Sequence, residues 1–424
     1  MTERVVGYRD VFASGEYRAL FSANTLSILG DHLTVVGTTF LVYAQTGSPA
    51  LAAGSFSLPL LAWVVGGPLL SGYADRLPRR RVMIGCDLAR AGALPILALP
   101  GLPVWALMPL LFMVNLLRPP FQASRAALMP DVLHGDRYFV ANGLDNVVYQ
   151  CGHVVGFAAG GALVAAVSVR GALLLDAATF LTSGLLVRVG VRYRPVPPGS
   201  GDGSGLRRFA EGVAVVFTDR RLRFYVLLFW VPSAFTYGFE GLASPLAGRY
   251  GGGPMTGGLL LAAAPLGLTI GAVVLTRLCP PATRIRLLAP MALLSCAALV
   301  ILRLAAPLWL VLVVFTAAGF GSAYAVPLNS LFGQTVPAQY RGRAFGMAVT
   351  GVMVLQGGAM ALAGPASQWW GPTTVLATSG MLGVVAVSAV LWIAPPRARL
   401  EDPNPVSRHN GEPVLATQTS PGPS

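Results

Sequence analysis

Polar positions along this chain are sparse and clustered. Between the clusters lie runs of about 20 mostly apolar residues, the length of helix that crosses roughly 30 Å of hydrocarbon. The pattern predicts twelve such helices, over residues 19–42, 51–71, 82–100, 104–124, 140–166, 171–189, 222–245, 256–276, 287–304, 308–331, 344–366 and 372–394. Many of the runs contain glycine and proline. In a bilayer, neighbouring helices re-satisfy the backbone groups these residues free, so they mark packing here rather than loops. The expected fold class is an all-α integral membrane protein of twelve transmembrane helices.

The runs divide into two sets of six, residues 19–189 and 222–394, joined by a polar stretch over 190–221. Pro195, Pro197, Pro198 and the glycine–serine run 199–205 give that stretch the composition of a flexible linker. A phosphate-cradling loop would need a preceding strand and a following Gly-Lys-Ser/Thr, and neither is there. Residues 1–18 lack the apolar core of a cleaved signal peptide, so the first membrane helix is expected to direct insertion. The tail over 395–424, rich in Pro, Ser, Thr and Asn, has too few apolar residues to fold and is expected to be disordered.

Charge sets the orientation. All but five of the arginines fall in the two terminal segments or in alternate gaps, those after runs 2, 4, 6, 8 and 10, counting residues at the run edges. The opposite gaps hold Arg170, Arg249 and Arg303, and Arg90 and Arg118 lie inside runs. The arginine-rich side is the cytoplasm by the positive-inside rule, which predicts that both termini are cytoplasmic. The same spread explains the net charge of +13 without a basic patch shaped for nucleic acid.

The chain has no lysine, which removes the P-loop lysine of an ATP-driven pump and any Schiff-base chemistry. His32, His134, His153 and His409 are scattered without metal-ligand spacing. No enzyme, metal or cofactor is expected, and uphill movement of any cargo must draw on an ion gradient. Cys86, Cys151, Cys279 and Cys296 all lie in or at the ends of apolar runs and read as small packing residues, not as a disulfide framework.

Polar residues inside the runs locate the candidate chemistry. Asn24, Ser27, Asp31, Thr34 and Thr38 are spaced 3, 4, 3 and 4 apart, one side of a helix. Asp31 falls near mid-bilayer, where a carboxylate must face water or hold a proton, the properties of a proton carrier. The alternative is a structural pair with Arg118 or Arg90. Run 7 repeats the stripe with Ser233, Thr236, Glu240 and Ser244, and places Glu240 nearer the outer surface. Run 5 aligns Asn142, Asn146, Tyr149 and His153 on one face. His153 could relay protons, bind substrate or tie two helices together. Asp87 and Arg90, three apart, read as a structural pair.

Between runs 2 and 3 stand Gly72, Asp75, Arg76, Arg79, Arg80 and Arg81. Gly72, Asp75, Arg76, Arg79 and Arg80 match the Gly-x-x-x-Asp-Arg-x-Gly-Arg-Arg/Lys signature of the major facilitator superfamily, with Pro78 at its second glycine. Together with the two six-helix halves, this makes the chain resemble that superfamily over residues 15–394.

The resemblance implies a latch in which Asp75 faces the start of run 11 and the arginines pair with acids such as Asp131 or Asp87; the plain alternative is a topogenic basic loop. Gly143, Gly152, Gly156, Gly160 and Gly161 reproduce the spacing of the family's antiporter signature, with Phe157 at its proline. Gly152, Gly156 and Gly160 also form a smooth face for close helix packing. Leu29-Gly30-Asp31, Asp176-Ala177-Ala178-Thr179-Phe180 and the segment from Tyr340 to Gly346 resemble the macrolide-efflux and enterobactin-exporter-like branch. Arg118 resembles the arginine of the run 4 proton-transfer motif, although the Gln-Gly expected three residues on is replaced by Phe121-Gln122.

What the resemblance implies is a multi-pass transporter of the inner (plasma) membrane, working as a monomer and exporting amphipathic small molecules by proton antiport. Drugs, macrolides, siderophores and natural products are the cargo classes, and antibiotic resistance the phenotype. Asn24, Ser27, Asp31, Thr34, Arg118, Tyr149, His153, Thr236 and Glu240 are the expected cavity and coupling residues. An importer or uniporter of the same fold, and a transport-inactive receptor or scaffold, are the alternatives.

Overall fold

A computed structural model of the protein describes residues 8–74, 77–134, 136–195, 213–214, 216–304, 307–337 and 340–393. Most of the linker, the C-terminal tail, Asp75 and Arg76 lie outside the described residues. Within them the chain is helical and without strands.

A short helix α1, Tyr8–Phe12, precedes α2, Gly15–Thr46. Ser14 caps the start of α2 by accepting from the Tyr17 amide, and Gly47, at φ 61°, ends it by donating to the Tyr43 carbonyl. Then follow α3 (Pro49–Ala74), α4 (Arg79–Leu97), α5 (Val104–Leu116), α6 (Arg118–Val132) and α7 (Asp136–Gly190). The second half contains α8 (Arg220–Thr236), α9 (Gly238–Gly241), α10 (Ala243–Arg249), α11 (Pro254–Val273), α12 (Pro281–Val300), α13 (Leu308–Ser322), α14 (Ala325–Thr335), α15 (Arg341–Trp370) and α16 (Pro372–Trp392). Proline at the first turn of α11, α12 and α16 starts each helix where its missing N–H costs nothing.

Nine helices among the described residues are long and apolar enough to cross a membrane, or ten if the bent set Arg220–Gly241 and Ala243–Arg249 is one span. One of the nine covers runs 5 and 6 together. Its chain breaks at Ser168 (φ 69°, ψ 165°), inside the gap predicted over 167–170. Large apolar side chains such as Leu362, Val385 and Leu185 point outward, 75%, 69% and 60% accessible, as a surface bathed in hydrocarbon requires.

The halves meet through α3 against α15 and α7 against α11. Their tightest contacts lie at one end. A Cβ on Gly161 would stand 2.5 Å from the Pro254 carbonyl oxygen, and one on Gly364 would stand 2.8 Å from the Ala50 Cα. At the same end the Gln368 amide donates to Ser48 at 2.8 Å. Trp105, Trp309, Trp369 and Trp370 are exposed there, the arrangement of an aromatic belt.

Candidate transport pathway

A central cavity of about 510 Å³ opens between the halves, lined by residues of α2, α3, α6, α7, α9 and α15. A second lobe of about 250 Å³ shares Leu60, Tyr149, His153, Glu240 and Met353 with it and extends among α8, α11 and α13. Tyr149 is 42% accessible although it sits in the middle of the bundle, because the surface it exposes faces this cavity.

Asp31 forms the charged centre of the wall. It is 7% exposed, and one oxygen accepts from the Arg90 guanidinium while Arg118 Nε stands 3.2 Å from the other. Arg90 is 1% exposed and lies over the Phe180 ring at 4.0 Å, so an aromatic face covers its outer side. One carboxylate between two guanidiniums is a buried charge cluster in which removing any one member leaves another charge short of a partner. Behind it sits Asp176, with no exposed surface, accepting from the Thr34 hydroxyl and, at 3.0 Å, from Thr179. Gly30 lies directly beneath that carboxylate, where a Cβ would collide with Asp176.

The stripe on run 1 therefore divides. Asn24 and Asp31 line the cavity, Asn24 accepting from Gln122 at 3.0 Å. Ser27 and Thr34 do not: Ser27 stands 3.5 Å from Arg90, Thr34 serves Asp176, and Thr38 returns its hydroxyl to the Thr34 carbonyl at 2.6 Å. Helix periodicity put these residues on one side of α2. That side is broad enough to meet both the cavity and the helices behind it.

Asp87 and Arg90 are not paired with each other as expected. The long Arg90 side chain reaches across to α2, whereas the short Asp87 reaches Ser183 on α7 at 2.7 Å. A second buried pair escaped the sequence reading: Arg125 on α6 holds Asp145 on α7 at 2.6 Å, and both line the cavity. Arginine and aspartate 20 residues apart on different helices carry no periodic signal. Asn142 lines the same stretch.

A row of rings leads inward from Tyr149. His153 lies 4.6 Å from Tyr149 and 4.7 Å from His32, and His32 lies 4.4 Å from Phe157. Neither His32 Nε2 nor His153 Nε2 has a hydrogen-bond partner among the described residues. The antiporter-motif glycines make this packing possible. A Cβ on Gly152 would stand 2.7 Å from Ile28, and one on Gly156 2.5 Å from His32; Gly160 faces the His32 carbonyl at 3.6 Å. Gly161 instead meets α11, and Gly143 has open space beside it. Phe157, at the motif's proline position, is a wall of the cavity.

In the second half, Thr236 lines the smaller lobe and Glu240 lines both. The break of α8 at Tyr237 leaves Glu240 on the wall of the same cavity as Asp31.

At the arginine-rich end, Arg79 donates to Asp131 at 2.9 Å and to the Ala127 carbonyl at 2.7 Å. Arg80 donates to the Arg188 carbonyl. Arg194 grips Glu16 at 2.5 and 3.1 Å. Of the two acids expected to receive the loop arginines, Asp131 does and Asp87 does not. Gly72 ends up in α3, and the expected contacts of Asp75 and Arg76 lie outside the described residues.

A two-lobed cavity between paired helical halves is the architecture of a small-molecule carrier. The sequence profile of the Major Facilitator Superfamily matches residues 20–302. The chain belongs to the Major Facilitator Superfamily. It is accordingly a transporter and not an enzyme.

Within the superfamily it is 28% identical to the multidrug efflux pump Tap of Mycolicibacterium fortuitum over 393 residues, covering 87% of this chain and 94% of Tap. It is 23% identical to macrolide efflux protein A of Streptococcus pyogenes over 241 residues, covering 52% and 56% of the two chains. It is 27% identical to the MFS-type transporter YkuC of Bacillus subtilis over 188 residues, covering 42% of each. The matches to these last two thus span about half the length of each relative. Among solved structures, a POT family transporter in complex with 5-aminolevulinic acid superposes with a TM-score of 0.71 at 12% identity, covering 91% of this chain and 96% of that one. A bacterial homologue of the human lysosomal transporter Spinster gives 0.69 at 14% identity, covering 89% and 95%. At these identities the likeness is one of fold.

Proposed function

We propose that this protein exports amphipathic small molecules across the cell (plasma) membrane by proton antiport and alternating access, acting as a monomer of twelve spans with both termini in the cytoplasm. The observation that carries the proposal is Asp31, held between Arg90 and Arg118 in the wall of the cavity between the halves. In the arrangement described, the inter-half contacts sit at the tryptophan-rich end, and the cavity runs from Glu240 toward Asn142 and Asp145. With arginine marking the cytoplasmic side, this is an inward-facing state.

Cargo enters from the cytoplasm while Asp31 is ionised. After the halves rock to open the other side, a proton reaches Asp31, cancels the charge that holds Arg118, and cargo is released outward. The Arg79–Asp131 pair ties α4 to α6 and biases which side is open. The names of the efflux relatives support drug-like or natural-product cargo and a resistance phenotype.

The test uses inverted membrane vesicles carrying an internal pH dye, energised and then challenged with antibiotics, dyes and siderophores. Proton release on adding a compound, lost in Asp31→Asn at equal protein level, is the expected result. Release that persists in Asp31→Asn overturns the role of Asp31. Accumulation of cargo on the cytoplasmic side of energised vesicles makes the protein an importer.

A further inference from the structure

Glu240 differs from the other carboxylates of the cavity wall. Asp31 has two guanidinium partners and Asp145 has one, whereas no ion pair or hydrogen bond reaches the Glu240 carboxylate among the described residues. Its place is fixed by close packing on both sides. A Cβ on Gly241 would stand 3.1 Å from that of Ala53 and 3.3 Å from that of Met360, and one on Gly238 would stand 3.4 Å from that of Ala363. The one-turn helix α9 is thus wedged between α3 and α15, and Glu240 lines both lobes of the cavity.

The walls beside it are Tyr149, Tyr237, Leu60 and Met353, with His153. A carboxylate without such a partner is costly at this depth, and the cavity's arginines, Arg118 and Arg125, face Asp31 and Asp145 instead. Rings, a thioether and one anion suit an organic ammonium or phosphonium group, which gains from the charge and from aromatic faces together. A small inorganic cation would need several oxygen ligands, and the described residues contain no cluster of three His, Cys, Asp or Glu side chains.

We infer that Glu240, flanked by Tyr149 and Tyr237, is the recognition site for the charged head of a lipophilic organic cation. The apolar remainder of the ligand lies in the larger lobe against Phe56, Trp63 and Val349. This names the cargo of the exporter proposed above and rests on that reading, with the proton carried at Asp31 and the cargo's charge met at Glu240.

The test measures binding of tetraphenylphosphonium, a permanent cation that cannot trade its charge for a proton, to the full chain in lipid nanodiscs. Wild type is expected to bind it, Glu240→Gln to weaken binding by at least about tenfold, and Glu240→Asp to retain more affinity than Glu240→Gln. Tyr149→Leu removes a ring that already faces the cavity, so folding is kept, and it should weaken binding by about threefold or more. Absence of binding by wild type, or affinity unchanged in both Glu240→Gln and Tyr149→Leu, overturns the inference. Glu240-dependent binding without proton release in vesicles would leave the inference standing and remove antiport. Proton release by neutral compounds with no phosphonium binding would do the reverse.

Discussion

Among the described residues, the buried polar groups of the first half of the bundle include the charged or ionisable Asp31, His32, Asp87, Arg90, Arg125 and Asp176; those of the second half are the hydroxyls of Thr236, Ser244, Ser295, Ser367 and Thr373, with those of Tyr225 and Tyr324. Both halves use the same kind of helix, interrupted by proline and packed through glycine. The difference teaches that repeated architecture does not require repeated chemistry. One wall carries a buried charge cluster, while the other supplies an apolar counterface and a single acid. Ser295, for example, keeps its hydroxyl within its own helix, donating to the Ala292 carbonyl at 2.7 Å beside the Cys296 thiol, whereas Ser183 at similar burial serves a carboxylate on another helix.

The sharpest way to break this asymmetry is to unbalance the charge cluster. Arg90→Ala removes a buried cation that both pairs with Asp31 and stacks on Phe180, and is expected to cost about 3–5 kcal/mol. Thermal unfolding of the purified protein reads this directly, and a loss below about 1 kcal/mol would mean that the cluster is not a structural unit.

Gly156→Val is next. The added carbons drive into the His32 ring, which has α7 on one side and the interior of α2 on the other, so a loss of about 1–3 kcal/mol is expected from overpacking. The same change at Gly143, which has open space beside it, should be nearly silent. Equal effects at the two glycines would refute the packing account of the motif.

Asp176→Ala leaves the Thr34 hydroxyl without its acceptor, while Thr179 keeps its bond to the carbonyl of residue 176 at 2.8 Å, and should cost about 1–3 kcal/mol; Asp176→Asn keeps a side-chain acceptor and should cost less. If Asn is as damaging as Ala, the charge of Asp176 and not its hydrogen bonding is what the fold uses. In the second half, Ser295→Ala should cost less than about 1 kcal/mol, because only a local return bond is lost. Smallest of all is Glu240→Gln, which removes a charge without a partner and should leave the unfolding temperature unchanged or raise it. A clear drop in that temperature would reveal a partner for Glu240 and draw the two halves closer in chemistry.

Much of this organisation was legible in the chain. Among the described residues the predicted runs fall in helical segments, runs 5 and 6 in one helix broken at Ser168 and run 7 in three consecutive helices, because a segment surrounded by lipid has to satisfy its backbone groups internally and to present apolar side chains. The gap over 167–170 holds the break at Ser168, and Asp31, Tyr149, His153 and Glu240 do meet at one cavity. The partners of those residues were not legible. Periodicity grouped Ser27, Thr34 and Thr38 with Asp31, but it could not tell which part of that side faces the cavity and which is covered by α4 and α7. The Arg125–Asp145 pair and the Asp87–Ser183 bond join residues whose separation in sequence follows no helical period.

The sequence by itself determined that the chain is a bundle of apolar helices, where its breaks fall, and which residues carry charge into the interior. Those follow from transfer free energies that act on each segment separately. Only the tertiary structure decided that, among the described residues, Asp31 is held by two arginines while Glu240 has none, and that the polar stripes of the two halves have different partners. Such pairings depend on which helices come within a few ångströms of each other, and that is set by side-chain packing across the whole bundle.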